Sequence, residues 1–303
     1  MTISPRHVTL GIVLAGVSLA SVALTLKWRD DRAFGNEALQ LSRFPAEPSA
    51  VLQANFALLR RGGQLNAQKI ELEPEYKQFV EGTGFDYRRD LDQVTASFSQ
   101  SGNFFLVRGR FDWARLQGYV RLQGGDCYQQ LCRMQGSKPE RHISFLPLRE
   151  DVMALAVSSD DLAATHLSET RQPVSTTLPD APVWLVLPGS VLRQPGFLPP
   201  GMRLLLSGLT TAERMIFTIT AATGGMEARL DAACLTKDDA GLLASQLRNT
   251  ARVVREGIAG KTVAADDELA NTLAVGAFEQ NGNRVTGRWL LAKGLLESLT
   301  AGI

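Results

Sequence analysis

Two neighbouring segments crowd arginine, aspartate and aromatic residues together: TGFDYRRDLDQV at 83–94 and VRGRFDWARL at 107–116. A guanidinium presents a planar fork of donors that matches a carboxylate or phosphate edge, so such segments have two uses. One is recognition: Arg88, Arg89, Arg108 and Arg110 would act as donors on a surface that meets a partner. The other is internal: Asp–Arg pairs would hold a helix–strand corner, with Phe85, Phe111 and Trp113 in the core. The internal use is the favoured one, and the four arginines remain the candidate partner surface.

Residues for catalysis do not assemble. The three histidines, His7, His142 and His166, belong to no H-E-x-x-H or H-x-x-E-H spacing, so a zinc hydrolase is not signalled. Gly189-Ser190 follows a strand-like run but lacks the second glycine of a nucleophile elbow. GIAGKT at 257–262 imitates the end of a phosphate-binding loop. Its first glycine is too close to the second, and a helix precedes it where a phosphate cradle needs a strand. A helix-terminal glycine and turn explain it. The pairs Asp160/Asp161, Asp238/Asp239 and Asp266/Asp267 sit at expected helix starts, where acids cap free N–H groups and complement the helix dipole. The expectation is a non-enzymatic protein with no cofactor and no metal site.

Cys127 and Cys132, in GGDCYQQLCRMQG, have four residues between them. A short loop between two strand-like runs brings their Cα atoms within bonding range, and an oxidising compartment would join them. Two unrelated thiols are the alternative. Cys234, in MEARLDAACL, reads as a small buried residue.

The elements that must position these residues follow from periodicity. AVLQANFALLRR at 50–61 is a short helix or a strand–helix unit ending at Gly62-Gly63, and a helix is expected over 73–81 with Tyr76, Phe79 and Val80 as its apolar stripe. VTASFS and FFLVRGRF alternate around a turn at 101–103, the clearest hairpin in the chain. Asp112 caps a helix through Gln123, and strands follow around 127–134, 142–147 and 152–157; a short helix capped by Ser159 or Asp160 ends near His166. ETRQPVSTTLPDAP at 169–182 is a connection. VWLVLP restarts a strand at 183–188, a Pro/Gly loop occupies 196–201, and RLLLSGL, RMIFTITA and MEARLDAACL read as three antiparallel strands. Thr236 with Asp239 approximates a capping box for a helix to about Gly257, faced by Ala240, Leu243, Leu247, Ala251, Val254 and Ile258. A helix at 266–273, a hairpin turning at 281–283 and a helix over 290–299 complete the chain.

Ahead of all this lies VTLGIVLAGVSLASVALTL at 8–26, nineteen residues without a charge. At about 1.5 Å per residue it spans most of a ~30 Å hydrocarbon core. Lys27, Trp28 and Arg29 supply an interfacial flank. An uncleaved signal anchor is favoured over a cleaved signal peptide, although 18–20 and 21–23 are passable cleavage sites. Lys27, Arg29 and Arg32 against Arg6 alone would place the following body inside. Asp30 and Asp31 dilute that bias, and a short tail before one anchor is the usual layout of an exported body, which is the orientation expected. The division is therefore a tail at 1–7, an anchor at 8–26, a juxtamembrane linker at 27–48, halves at 49–168 and 183–303, and the connection at 169–182. Each half has an apolar hairpin, further antiparallel strands and a helix across them, so the fold class is α+β with a degenerate internal duplication. A formal charge of +1 gives no field that would select nucleic acid.

The segments at 83–116, VWLVLP and the Thr236 helix together resemble uncharacterised bacterial proteins with one amino-terminal membrane segment and a duplicated extracytoplasmic α+β region. The resemblance implies export and a non-catalytic role, and brings no catalytic motif. The expected function is a membrane-anchored binding or scaffolding protein of the bacterial inner membrane, its body periplasmic or extracellular and its partner a protein of the cell envelope. The alternative is a carrier or sensor for a hydrophobic ligand held between curved antiparallel sheets.

Overall fold

The computed structural model describes residues 37–63, 74–136, 138–170, 177–194, 207–223, 225–260 and 268–291. The apolar run at 8–26, the loop at 196–201 and residues 292–299 of the last expected helix lie outside them. Among the described residues no helix is long and apolar enough to cross a membrane. The chain divides into two compact units, Met1–Arg43 with Thr170–Leu178, and Phe44–Glu169 with Pro179–Ile303. The described part of the first contains helix α1 (Glu37–Leu41), closed where the Ser42 hydroxyl donates to the Leu39 carbonyl at 2.8 Å.

The second unit is built on a single antiparallel sheet of twelve strands. Its first wing contains β1 (Ala50–Ala54), β2 (Leu91–Phe98), β3 (Gly102–Gly109), β4 (Asp126–Tyr128), β5 (Leu131–Gln135), β6 (His142–Arg149) and β7 (Val152–Ser158). Its second contains β8 (Val183–Pro188), β9 (Ala212–Ala222), β10 (Gly225–Cys234), β11 (Ala277–Asn281) and β12 (Arg284–Leu291). The spatial order is β11-β12-β10-β9-β8-β1-β2-β3-β7-β6-β5-β4. The wings join where β1 pairs β8 with Gln53 opposite Trp184. The two expected sheet-plus-helix halves share one continuous sheet: VLQA and VWLVLP each have an unpaired strand edge, and pairing them satisfies both sets of backbone groups.

Helices cover one face of this sheet. α2 (Phe56–Arg61) follows β1 directly, capped by Asn55, whose side chain accepts from Leu58 N–H at 2.9 Å. α3 (Pro74–Thr83) and α4 (Tyr87–Asp90) precede β2, and α5 (Trp113–Leu122) follows β3. α6 (Gly189–Leu192), α7 (Lys237–Ala259) and α8 (Glu268–Ala274) belong to the second wing. α7 buries Ala240, Leu243 and Ala244 against Met226, Leu230 and Val285 of the sheet, and Ala251 is buried further along the same helix. Burying one such leucine contributes about 2 kcal/mol. α5 sets Leu116 and Val120 against Phe145, Met153 and the disulfide-bonded Cys132. β12 alternates exposed and buried residues along its full length, as a strand with one solvated face must.

Three local expectations change. The carboxylate of Asp239 accepts from the Thr236 hydroxyl at 2.7 Å, while the Thr236 oxygen accepts from Asp239 N–H at 3.1 Å. The shorter acid thus takes the hydroxyl in place of the backbone N–H a glutamate would reach back to. SGL of RLLLSGL lies in a 3-10 turn, Ser207–Thr211, which docks Leu209 into the core beneath α7; residues 203–206 lie outside the described set. Leu290 and Leu291 end β12, so no helix starts at 290. Pairing with β10 through Leu291 opposite Met226 outweighs the local helical pattern.

Candidate functional site

The corner between α3, α4 and the β2–β3 hairpin collects the residues the sequence singles out. α3 ends at Gly84, whose φ of +73° is the left-handed conformation that favours glycine. The chain then turns into Asp86, which caps α4: its carboxylate accepts from Arg88 N–H at 3.0 Å, and Asp90 returns the contact by accepting from Asp86 N–H at 3.0 Å. Gly109 lies so close that a Cβ there would come within 2.5 Å of the Asp90 carbonyl, and Arg110 N–H donates to that same carbonyl at 2.8 Å. The close approach is what brings the two arginine-bearing segments together.

Asp90 is the centre. Its side chain is only 9% exposed, and it is bound by Arg89 at 2.7 Å and Arg110 at 3.3 Å, whose side chains are 66% and 62% exposed. Arg88 pairs with Asp86 at 2.8 Å and Arg108 with Asp151 at 3.0 Å. Arg88, Arg89 and Arg110 are thus brought onto one pair of acids, whereas Arg108 binds a different one. Burial pushes the carboxyls of Asp86 and Asp90 up, but hydrogen bonds from Arg88 and from Arg89 outweigh it and hold both below the usual carboxylate range. Tyr76 donates to Asp86 at 3.2 Å; burial pushes its hydroxyl up to about 12.

Aromatic residues brace the corner from below. Phe85 stacks on Phe111 at 5.3 Å, Phe111 leans on Trp113 at 5.1 Å, and the Trp113 indole N–H donates to the Glu150 carbonyl at 3.0 Å. Arg60 reaches in from α2 to the Leu91 carbonyl and the Asp92 carboxylate. The arrangement can hold guanidinium heads in fixed positions. Across the described residues no group of three His, Cys, Asp or Glu side chains could hold a metal ion.

The other sequence candidates have structural places. Cys127 and Cys132 face each other across the β4–β5 hairpin and are joined by a disulfide; Cys234 is buried, which raises its thiol pKa. His166 contacts Asp160 at 3.2 Å, Asp161 binds Arg133 at 2.9 Å, and Ser190 lies exposed on α6. Gly260 closes α7 by donating to the Glu256 carbonyl at 2.8 Å.

A second place went unsingled. A groove of about 500 Å³ lies between α7 and the start of β11, with Arg248, Ala251, Arg252 and Arg255 on the helix and Ala277 and Phe278 facing them. The spacing of four and three places those arginines on one helical face and was legible in the sequence. What it faced was not.

No protein-family model matches the chain, and no curated protein matches it. Among solved structures it is similar to TP0453. Crystal form I of TP0453 is 13% identical, with 88% of this chain and 97% of that one covered and a TM-score of 0.45. Crystal form III is 12% identical, with 88% and 98% covered and a TM-score of 0.46.

Proposed function

We propose that this protein is a non-catalytic binding or scaffolding module, tethered by residues 8–26 to a bacterial inner membrane with its folded body on the extracytoplasmic side. Its partner is a protein of the cell envelope with an acidic surface. The observation that carries this reading is the Asp90 cluster. Two exposed guanidiniums share one nearly buried carboxylate, their Nε and Nη2 atoms engaged by it and by neighbouring carbonyls, which leaves surplus positive charge at the surface and the Nη1 donors for a partner. Such heads lose little freedom when a carboxylate binds. The Cys127–Cys132 disulfide supports an oxidising compartment. The tether would raise the local concentration of the module at the bilayer.

The wings also support a degenerate duplication. Each runs through three neighbouring strands and a helix, then further antiparallel strands, four in the first wing and two in the second, the last of which pairs the third: β7 on β3, and β12 on β10.

The test is recovery of partners from detergent-solubilised membranes with full-length protein and with R89E/R110E. A defined envelope protein bound by the wild type and lost from an equally stable variant is expected; identical recovery would remove the corner from the proposal. Orientation has its own test. Gln100→Cys places a thiol in an exposed turn, while Cys234 is buried and the other two cysteines are bonded. Labelling by an impermeant maleimide that reaches Gln100→Cys from the outer side supports export, and labelling only after lysis contradicts it.

A further inference from the structure

We propose that the groove between α7 and the start of β11 binds an oxyanion, a phosphate or carboxylate, carried on a small apolar group. Arg248, Arg252 and Arg255 put three positive charges on one face within about two helical turns. Like charges at such spacing destabilise a helix, and none of the three lies in its last turn, where the dipole would offset them. Neutralisation within the protein is sparse. Arg252 is bound by Glu256 at 2.7 Å and by the Asn249 side-chain oxygen at 2.6 Å. Arg248 reaches only a carbonyl, that of Phe278 at 3.4 Å, and Arg255 has no ion pair or hydrogen bond among the described residues. The described lining of the groove has no carboxylate.

The remainder of the lining decides the kind of anion. Ala251 is 2% exposed, and Phe278 is held edge-on against Trp289 at 5.2 Å, so the groove has a fixed apolar side next to its arginines. A volume of about 500 Å³ suits a small molecule. Guanidinium forks orient an oxyanion head, and Ala277 and Phe278 accept a short apolar body. This site lies on the opposite wing from the Asp90 cluster, and neither proposal depends on the other.

The experiment is equilibrium titration of the full-length protein in a neutral detergent with hexyl phosphate and with inorganic phosphate. Saturable binding of hexyl phosphate is expected, weakened about tenfold or more in R248Q/R255Q at unchanged melting temperature. Tighter binding of hexyl phosphate than of inorganic phosphate identifies the apolar side as part of the site; equal affinities identify the free oxyanion as the ligand. Glu256→Gln removes the competing carboxylate from Arg252 and should raise affinity a few-fold, a gain that misfolding cannot produce. Absence of saturable binding to either probe, equal binding by R248Q/R255Q, or no gain in Glu256→Gln would overturn the proposal.

Discussion

The face of the sheet turned away from the helices has two characters. On the second wing it is a charged ladder: Glu227, Arg229 and Asp231 of β10 stand beside Arg284, Thr286 and Arg288 of β12, and the arginine side chains are 58–63% exposed. On the first wing the same face runs through Ser97, Phe104, Ala156 and Ser144, paired strand to strand and almost fully buried. The difference is a cover. The 3-10 turn Ala163–Leu167 lies over β6 and β7, its Ala164 N–H donating to the Ser144 hydroxyl at 3.1 Å. Small residues beneath it let backbone approach backbone, whereas among the described residues the ladder's arginine side chains stay exposed. Strand position alone therefore does not decide what a residue tolerates; the presence of a second layer does.

Overpacking should show the largest contrast. Ala156→Leu, at a residue with no exposed surface beneath the turn, is expected to lose about 2–3 kcal/mol. Arg229→Leu on the exposed ladder should change stability by less than about 0.5 kcal/mol. Urea denaturation of the full-length protein measures both, and equal losses would erase the distinction between the wings. Next is the staple at the edge of the first wing. Cys127→Ser with Cys132→Ser should lower stability by about 2 kcal/mol, the loop closed being short. Thermal unfolding checks this, with reduction of the wild type reproducing the double variant.

The Asp90 cluster sharpens the comparison through pH. Because the folded-state pKa values of Asp86 and Asp90 are lowered, their contribution is complete above the unfolded carboxylate range near pH ~4. It is lost as pH falls through the lowered values. Asp90→Asn should cost roughly 1–2 kcal/mol at neutral pH and flatten the acid limb of the stability curve. A variant with an unchanged acid limb would show that the cluster is not an acid-sensitive element. The smallest effect belongs to the ladder: Arg284→Ala, which removes the pair with Asp231, should cost under about 1 kcal/mol and less in high salt.

Much of the fold was legible because its signals are local. Thr236 before a stripe of alanines and leucines marks the start of α7, alternation marks the β2–β3 hairpin, and the cysteine spacing marks β4–β5. The corner was legible as Asp–Arg chemistry, but which acid serves which arginine was not. Gly109 against the Asp90 carbonyl and the turn at Gly84 settle that, and both are matters of ångström-scale approach. RLLLSGL misled because an apolar run reads alike as a buried strand and as a turn plugged into the core.

Composition and spacing by themselves determined the α+β character, the helix caps and the arginine stripe on α7, and pointed to the disulfide partners, since each depends on residues a few positions apart. Only the tertiary structure decided that β1 and β8 weld the wings into one sheet, that a 3-10 turn covers β6 and β7 on its open face, and that the stripe looks into a groove. Those are contacts between distant segments. They are set by which strand edges and apolar faces remain unsatisfied once local structure has formed, a quantity that no short window of sequence contains.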